Sequence, residues 1–489
     1  MINTFNRLTK FVVRRKWIFG SVTGMAILVL LSGCVQKVDR NIERGATYKF
    51  KEGFPEARVS AIGIFDALGE PGITVTTDIV YGSLIYKTEG NQQIANVILN
   101  IRIEDKETKK NIESELYSLD ITAKKKNITN SQDIFTYKKW ISVPPGDYTV
   151  YVTTIDKNSD KEITRQTQAF IPNPEKDIAN LTTIQLLSKD LNSGEYNFLP
   201  VTTYDVPGKV DSLKFRFQVT NTKNDTLEIL SKLKKFKADT TISRRMSSND
   251  YSAASLPYDG IEYDEFEIIQ ENRRVILQPG NVLIEFKFPQ LSRGNYRFEV
   301  SIGGSIDESE EVKKARDFSV KSKNYPTLKT PRELAKPLAY LMGRKEYEKM
   351  MQIKSPDSLK KAVDKFWLQE IKQPQTAQDV IALYYERVEM ANKQFSNFKE
   401  GWKTDPGRVF ILFGPPWYVD QNIETMQWSY SYNRQDPNAN FIFLRPKINN
   451  KYYPFNHFIL DRRQFYFGNE YRQTQNWITG RILTRSLSF

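Results

Sequence analysis

The chain has 489 residues, which is enough for two to four domains. Charged residues make up 26% of it and hydrophobic residues 39%, a balance that is typical of globular proteins and excludes a largely disordered chain. One cysteine excludes an internal disulfide, and one histidine leaves too few ligands for a Cys/His metal site. The formal net charge is +13, and residues 331–489 hold 24 Lys and Arg against 16 Asp and Glu. This third of the chain therefore has either an acidic partner or a solvated basic surface.

The N-terminal segment has the parts of a secretory signal. Five basic residues and no acidic residue precede an apolar run at 18–31, and small residues lead up to Cys34. The apolar run is shorter than the roughly 20 residues of a membrane-spanning helix. Leu31-Ser32-Gly33-Cys34 resembles the bacterial lipobox, which implies cleavage before Cys34, diacylation of its thiol and acylation of the new amino group. The alternative is an uncleaved anchor helix with a chance cysteine.

We therefore predict a signal peptide at 1–33 and a tether at 34–56, which joins the lipid on Cys34 to a water-soluble body. Val35 stands where aspartate is the usual inner-membrane retention signal of well-studied bacterial lipoproteins, so this analogy favours the outer membrane. Acidic clusters after the cysteine resemble surface-export signals, and none follows Cys34, which favours the periplasmic face. Export also argues against nucleic acid as a partner.

Two segments, 57–176 and 177–323, have the pattern of antiparallel β-sandwiches. Apolar and polar residues alternate over 97–104 in the first segment and over 213–219 in the second, which is the period of a strand with one buried face. Gly146 and Tyr148 recur as Gly294 and Tyr296, and a phenylalanine follows each tyrosine by 22 residues. We therefore predict two tandem immunoglobulin-like sandwiches in a mainly β, multidomain chain. The alternative is that Gly-x-Tyr turns recur in unrelated β structures.

A polar stretch at 239–263 predicts a long loop in the second sandwich, either functional or disordered. Residues 324–489 predict an α+β domain with a helical first half and a β-rich second half. Thr330, Pro331 and Glu333 form a helix-start signal, and apolar residues recur at three- and four-residue steps over 381–398. A turn at 401–408 and a strand at 409–413 are predicted next. The stretch 427–489 is aromatic and rich in arginine, which indicates a small sheet whose exposed arginines face a partner.

A distinctive motif, Gly401-Trp402-Lys403-Thr404-Asp405, follows the long helix. It is accompanied by Gly407-Arg408, Gly414-x-Pro416, Tyr385-Glu386-Arg387-Val388, Ala391-Asn392-x-x-Phe395 and Gln427-Trp428-Ser429-Tyr430. Together these residues resemble the GWxTD-domain family, which is common among lipoproteins of the Bacteroidota, over roughly residues 325–489. Two departures are Pro406, where the family often has arginine, and Trp417-Tyr418, where an acidic pair often stands. The resemblance implies an envelope lipoprotein and no particular activity.

We predict that nine residues of this region serve packing or partner binding, and that none is catalytic. They are Gly401, Trp402, Thr404, Asp405, Gly407, Arg408, Gly414, Pro416 and Trp428. Asp405 is expected to accept N–H groups in an Asx-type turn, Trp402 to pack on the long helix, and Arg408 to pair with Asp405 or an acidic partner. The alternative is catalysis by Asp405 with a second carboxylate, for which the candidates are Asp420, Glu424 and Asp461.

The function that we expect is that of a non-enzymatic envelope lipoprotein, a scaffold or accessory subunit of an outer-membrane assembly, secretion or transport complex. The sandwiches would act as a spacer, and the C-terminal domain would dock onto a membrane-protein complex. No cofactor or metal is expected, and His457 is expected to be a packed sheet residue. Two alternatives remain: a carboxylate-dependent hydrolase of envelope glycan or peptide, and a glycan-binding lipoprotein with aromatic platforms on its sandwiches.

Overall fold

A computed structural model describes residues 53–123, 131–174, 179–190, 197–206, 208–222, 226–248, 260–303, 312–433, 436, 438–446 and 457–484. The predicted signal peptide, Cys34 and most of the predicted tether lie outside the described residues. Within those ranges, no helix combines the length and the apolar character that are needed to cross a bilayer.

In the described part of 53–174, eight strands form the first β-sandwich. They are β1 (Ala57–Phe65), β2 (Pro71–Val80), β3 (Lys87–Glu89), β4 (Gln92–Asp105), β5 (Asn111–Thr122), β6 (Ile134–Ser142), β7 (Gly146–Asp156) and β8 (Lys161–Ile171). One antiparallel sheet has the order β1-β2-β6, and the other has the order β5-β4-β7-β8, with β3 added to β4. The predicted alternation is confirmed in β4, where Val97, Leu99, Ile101 and Ile103 are fully buried and the residues between them are half-buried.

Among the residues that the structure describes between 179 and 320, ten strands form the second β-sandwich. They are β9 (Ala179–Leu181), β10 (Gln185–Asp190), β11 (Leu199–Pro200), β12 (Asp205–Val206), β13 (Val210–Asn221), β14 (Leu227–Ala238), β15 (Ile261–Ile276), β16 (Gly280–Pro289), β17 (Gly294–Gly303) and β18 (Val312–Val320). One sheet has the order β11-β10-β13-β16, with β9 against β13, and the other has the order β12-β18-β17-β14-β15. β12 and β18 are parallel, and the other pairs are antiparallel.

The two sandwiches share one strand order. If only strands longer than three residues are counted, the first, second and fifth strands form one sheet in each sandwich, and the fourth, third, sixth and seventh form the other. This is the two-sheet arrangement of an immunoglobulin-like sandwich, with a shared hydrophobic core between the sheets. The predicted fold class, two tandem sandwiches followed by an α+β part, is therefore confirmed.

A tyrosine at the start of the sixth long strand anchors the same corner in both sandwiches. Tyr148 and Tyr296 each donate a hydroxyl hydrogen bond to the carbonyl four residues upstream, at 2.6 and 2.7 Å. The sequence also predicts that Phe170 and Phe318 are equivalent, and this match is wrong by one residue. Phe318 lies opposite Tyr296, whereas Ala169 lies opposite Tyr148 and Phe170 belongs to the other face of its strand.

The C-terminal part combines helices with one small sheet. The helices are α1 (Pro331–Ala335), α2 (Arg344–Gln352), α3 (Pro356–Leu368), α4 (Pro374–Phe395), α5 (Asp405–Phe413) and α6 (Tyr466–Ile478). Short 3-10 turns lie at Lys336–Tyr340, Gly401–Lys403 and Arg481–Leu483, and at Tyr81–Ser83 in the first sandwich. The antiparallel sheet is β19 (Tyr418–Gln421), β20 (Thr425–Ser429), β21 (Asn440–Leu444) and β22 (Ile459–Leu460). Thr330 and Glu333 form a reciprocal capping box at the start of α1, where the sequence predicts a helix start.

The predicted strand at 409–413 is wrong, because these residues belong to α5. The hydroxyl of Thr404 accepts the N–H of Gly407 at 3.1 Å and so caps the helix, and Pro406 stands in its first turn. Every residue of α5 is buried, so its apolar run lacks the polar positions that distinguish a helix from a strand. Gly414, at φ +82°, ends the helix in a conformation that favours glycine. The predicted β-rich second half also contains α6 after its last strand.

Candidate functional site

Two glycines allow the GWxTD motif to approach neighbouring backbone closely. The turn Gly401–Lys403 lies between α4 and α5. A Cβ on Gly401 would lie 1.9 Å from the carbonyl oxygen of Ala391 in α4, and a Cβ on Gly407 would lie 1.9 Å from the carbonyl oxygen of Gly401. Any side chain at either position would displace backbone atoms. Close approach therefore explains both glycines.

Trp402 is a buried anchor between the motif and two helical elements. Its indole N–H donates to Glu400 at 3.0 Å, and its backbone N–H donates to Asn392 of α4 at 3.2 Å. The ring of Tyr340 meets the indole edge-on with centroids 6.1 Å apart, and the Tyr340 hydroxyl donates to the Trp402 carbonyl at 2.5 Å. The polar atoms of this large side chain are thus satisfied inside the core, and Trp402 contacts the long helix as expected.

Asp405 lies at the centre of a buried hydrogen-bond network. Its two carboxylate oxygens accept both terminal nitrogens of Arg462, at 2.7 and 2.8 Å. They also accept the Ser243 hydroxyl at 2.5 Å and the Leu460 N–H at 2.8 Å. Burial by itself would raise the pKa of Asp405, but the Arg462 guanidinium and the donated hydrogen bonds hold that pKa below its ordinary value. The predicted Asx-type turn is wrong, because Thr404 caps α5 and Asp405 binds distant residues.

Arg408 forms a second buried ion pair, and its partner is not Asp405. Its guanidinium donates to Glu470 of α6, with the Nε bond at 2.8 Å, and to the Ser243 carbonyl at 2.8 Å. The other carboxylate oxygen of Glu470 accepts the Met246 N–H at 3.1 Å. Pairing with Asp405, one of the two predicted options, is therefore wrong. The acidic partner is Glu470, which belongs to this chain.

The loop that follows β14 closes over the motif. Ser243 donates its backbone N–H to the Lys403 carbonyl at 2.9 Å, and Arg462 donates to the Arg245 carbonyl at 3.2 Å. Met246 is fully buried in the hydrophobic core of the C-terminal part. The polar loop predicted at 239–263 thus has, in its described residues 239–248, a defined role. It joins the second sandwich to the GWxTD motif.

All nine residues predicted to serve packing or partner binding are buried. Gly414 ends α5, and its carbonyl accepts the Tyr430 hydroxyl at 2.8 Å. Trp428 of β20 packs between Phe395 of α4 and Phe443 of β21, with ring centroids 5.4 and 5.1 Å away. The motif residues therefore hold helices, sheet and loop together, and they present no side chain to a partner.

Arg387 is a structural residue that only the family resemblance singled out. Its guanidinium donates to the carbonyls of Ile411 and Leu412 at 3.3 and 3.4 Å and lies 5.1 Å from the Trp477 ring centroid. Burial lowers the pKa of Arg387 to about 10. The Trp477 indole N–H also donates to Leu412, at 3.0 Å. These donors satisfy carbonyls at the C-terminal end of α5, where the helix dipole favours a cation.

The acidic residues proposed as catalytic partners do not form a cluster with metal-binding potential. Asp420 and Glu424 are exposed, and Asp461 accepts a hydrogen bond from Arg463 at 3.0 Å. Across the described ranges, no group of three or more His, Cys, Asp or Glu side chains is placed to hold a metal ion. His457 is buried with its ring centroid 5.1 Å from that of Phe398, so it is packed as expected, but it precedes β22 and is not part of the strand.

The aromatic and arginine-rich stretch divides into a buried and an exposed set. Phe441, Phe443, Tyr466, Trp477 and Arg462 are buried. Tyr432, Arg445 and Arg481 are exposed, and so is a group around the start of α6. This group, which we call the aromatic face, consists of Arg463, Phe465, Phe467, Tyr471 and Arg472. Phe467 and Tyr471 lie one helical turn apart and stack with ring centroids 6.3 Å apart. The sequence composition identified this stretch, but only the fold separates its core from its surface.

A cavity of about 540 Å³ is lined by residues of both sandwiches and of α4. Arg58 donates to Glu56 at 2.6 Å, and Lys393 of α4 donates to the same carboxylate at 3.2 Å. Asp78 accepts two threonine hydroxyl groups at 2.7 and 2.8 Å, and burial raises its pKa. Arg58 and Lys393 thus pair with Glu56, and Asp78 is held by the two threonines. These residues form a polar joint between the first sandwich and α4.

Comparisons with curated proteins and with solved structures show no family for this chain. A comparison with curated proteins finds no match. Similar solved structures include red sea bream transglutaminase (9% identity, 54% of this chain and 31% of that chain, TM-score 0.17). They also include dimeric latent PorU from Porphyromonas gingivalis (11%, 56% and 21%, TM-score 0.22) and a DUF4785 family protein from Legionella pneumophila (12%, 50% and 53%, TM-score 0.16). The matches span from about a fifth to about half of those proteins, and at these TM-scores they carry no functional argument.

The family model of the GWxTD domain matches residues 305–479. This match begins about 20 residues before the start of the resemblance at 325 and takes in β18, the last long strand of the second sandwich. It also contains the motif, the α4–α5 pair, the small sheet and α6. Residues 305–479 of this chain are therefore a GWxTD domain.

Proposed function

We propose that the chain is a non-enzymatic lipoprotein of the cell envelope, from a member of the Bacteroidota, held at the outer membrane by lipid on Cys34. The periplasmic face is the favoured side. In this proposal the protein is a scaffold or accessory subunit of an outer-membrane assembly, secretion or transport complex. The signal-like N-terminus and the lipobox-like sequence support the anchor, and the tandem sandwiches support a spacer.

Fatty-acid labelling tests the anchor. We expect label on the wild-type protein and none on Cys34→Ser, because the thiol is the first acylation site. Label that survives the substitution, or a wild-type protein without label, would contradict the anchor.

One observation carries the scaffold proposal: the GWxTD motif is a buried joint between the second sandwich and the C-terminal part. Two ion pairs, Asp405–Arg462 and Arg408–Glu470, hold it, and both bind Ser243 of the loop after β14. A joint of this kind holds the modules in a set orientation, which suits a scaffold. Both oxygens of Asp405 are occupied by donors of this chain, so a substrate would have to displace Arg462 or Ser243. The geometry thus favours the scaffold over the carboxylate-dependent hydrolase.

The aromatic face is the proposed docking surface for the partner complex. Its three aromatic side chains are large and exposed, at 45%, 56% and 57%, and two arginines flank them. Aromatic residues and arginine are enriched at protein interfaces, and large aromatic anchors contribute much of the binding energy. Phe467 and Tyr471 are therefore the residues whose loss should weaken docking most.

A crosslinked membrane pull-down read by mass spectrometry tests this docking. We expect Phe467→Ala/Tyr471→Ala to lose co-purifying membrane proteins that the wild type retains. Leu368→Ala is the matched control, because Leu368 is exposed to a similar extent, 52%, at the end of α3. Equal thermal melting of the three proteins excludes misfolding as the cause. Retention of every partner by the double variant would contradict docking through the aromatic face.

A further inference from the structure

β15 is a long edge strand of the second sandwich. It pairs with β14 on one side, and no strand among the described residues pairs with its other side. Edge strands carry backbone N–H and C=O groups that can pair with another strand, and many proteins prevent this with very short edge strands. β15 has 16 residues. Its length alone makes it a template for strand pairing.

The side chains of β15 are unusually apolar for an exposed edge. Phe266, Ile268 and Val275 are 43%, 48% and 46% exposed. The equivalent edge strand of the first sandwich, β5, exposes one large apolar side chain, Leu116. The two edges thus differ although the sandwiches share a strand order. A second strand laid against β15 would cover apolar surface that β5 lacks.

The charges of β15 are distributed unevenly along the strand. The N-terminal half holds Glu262, Asp264, Glu265 and Glu267, whereas the C-terminal half holds Arg273 and Arg274 with one acidic residue, Glu271. An antiparallel copy of the strand presents its basic half to the acidic half of the first. We propose that β15 pairs with β15 of a second copy of this chain, antiparallel, around a two-fold axis at Glu271. The axis lies at this residue because Ile269 is an extra residue in the register of β15 with β14.

This axis produces complementary contacts on both faces of the sheet. It places Glu267 across from Arg274 of the second copy, and Phe266 across from Val275. Glu271 lies on the axis beside its own copy, and Lys232 of β14 offsets the charge of each carboxylate at 3.2 Å. Within the chain, Glu267 and Arg274 lie opposite residues of β14 that are six positions apart, so their side chains share one face. Phe266 and Val275 lie opposite positions eight apart and share the other face. The Glu267–Arg274 and Phe266–Val275 contacts each occur twice by symmetry, which is the property of a closed dimer.

Sedimentation of the full-length protein in detergent over a concentration series tests the proposal. We expect a dimer for the wild type. Glu267→Arg or Arg274→Glu alone should raise the dissociation constant by about tenfold or more, because two attractive cross-strand pairs become repulsive. The combined variant Glu267→Arg/Arg274→Glu should restore the dimer, because the exchanged charges are again complementary. Glu113→Arg on β5 is the matched control and should leave the dissociation constant unchanged.

Three outcomes would overturn the proposal. The first is a wild-type protein that stays monomeric over the whole series. The second is a combined variant that dimerises no better than the single variants, since the charges would then act by another route. The third is a photo-crosslinker at position 268 that captures only a different protein in membranes, which would assign the edge to that protein.

Discussion

Replacing Asp405 by asparagine is the most direct test of the buried joint. Asparagine keeps the shape of the side chain but removes the charge that faces Arg462, whose side chain is 1% exposed. The guanidinium would retain the carbonyls of Leu460 and Arg245, at 3.3 and 3.2 Å. Removing one partner of a buried ion pair costs about 3–5 kcal/mol. Since 1.4 kcal/mol is a factor of ten, local opening of α5 and of residues 239–248 should become about 100 to 4,000 times more frequent.

Hydrogen exchange followed by mass spectrometry measures this opening in the full-length protein, segment by segment. Asp461→Asn is the matched control: its partner Arg463 is 57% exposed, so we expect a loss below about 1 kcal/mol. Adding Arg462→Met to Asp405→Asn should recover part of the protection, because the unpaired buried charge is then also removed. Unchanged exchange in α5 and residues 239–248 of Asp405→Asn would refute the argument that this ion pair holds the joint.

The same carboxylate has a predictable pH dependence. The folded-state pKa of Asp405 lies below its ordinary value, because Arg462 and the donated hydrogen bonds outweigh the effect of burial. Its stabilisation is therefore fully present above the ordinary pKa and is lost as the pH falls through the folded-state value. Asp405→Asn lacks this contribution at every pH, whereas the wild type loses it only in acid. The difference between the two proteins in exchange rate of α5 should shrink as the pH is lowered.

Four further substitutions test other parts of the structure. In urea unfolding, Gly407→Ala should destabilise the GWxTD domain by about 3 kcal/mol, because the new Cβ would lie 1.9 Å from a backbone oxygen. Gly468→Ala in α6 should stabilise the domain by about 1 kcal/mol, because the new Cβ has no atom within 4 Å and alanine favours the helix. Tyr296→Phe should lower the stability of the second sandwich by about 1 kcal/mol in thermal unfolding, through loss of one hydroxyl hydrogen bond. Burial lowers the pKa of Lys403 from 10.5 to about 8. Between pH 8 and 10.5 the unfolded chain therefore binds this proton and the folded chain does not. The free energy of unfolding should rise over this range by about 3 kcal/mol. Lys403→Met should lack that rise in urea unfolding at pH 7 to 10, and a rise equal to that of the wild type would contradict it.

The joint differs in kind from the core around it. The core of the C-terminal part is built from large apolar side chains, whereas the joint consists of two buried ion pairs whose acceptors also bind backbone N–H groups of distant segments. Buried ion pairs contribute little net stability, because desolvation offsets their attraction, but they are costly to break. Such a joint therefore favours one relative position of loop, helix and sheet over others. This is the physical basis of the scaffolding role that we propose for the motif.

Local patterns in the sequence were enough to predict the strands and helix starts whose stabilising contacts lie within a few residues of each other. The alternation over 97–104 predicts β4 because one face of that strand is buried, and Thr330 with Glu333 predicts the start of α1 because the cap is made within one turn. The recurrence of Tyr148 as Tyr296 predicts two related sandwiches, and the structure adds that each hydroxyl reaches a carbonyl only four residues away. These contacts need no knowledge of the rest of the fold.

Tertiary structure alone decided the identity of α5 and the partners of the motif. The residues of α5 are buried on every side, so no periodicity marks them as helical. Asp405 binds Ser243, 162 positions away, and Arg408 binds Glu470, 62 positions away, and charge and size leave many partners equally acceptable for each. The aromatic face likewise exists only because α6 turns some of its rings into the core and leaves others outside. Contacts between distant segments depend on how whole modules pack, and that packing is not encoded in any short stretch of the chain.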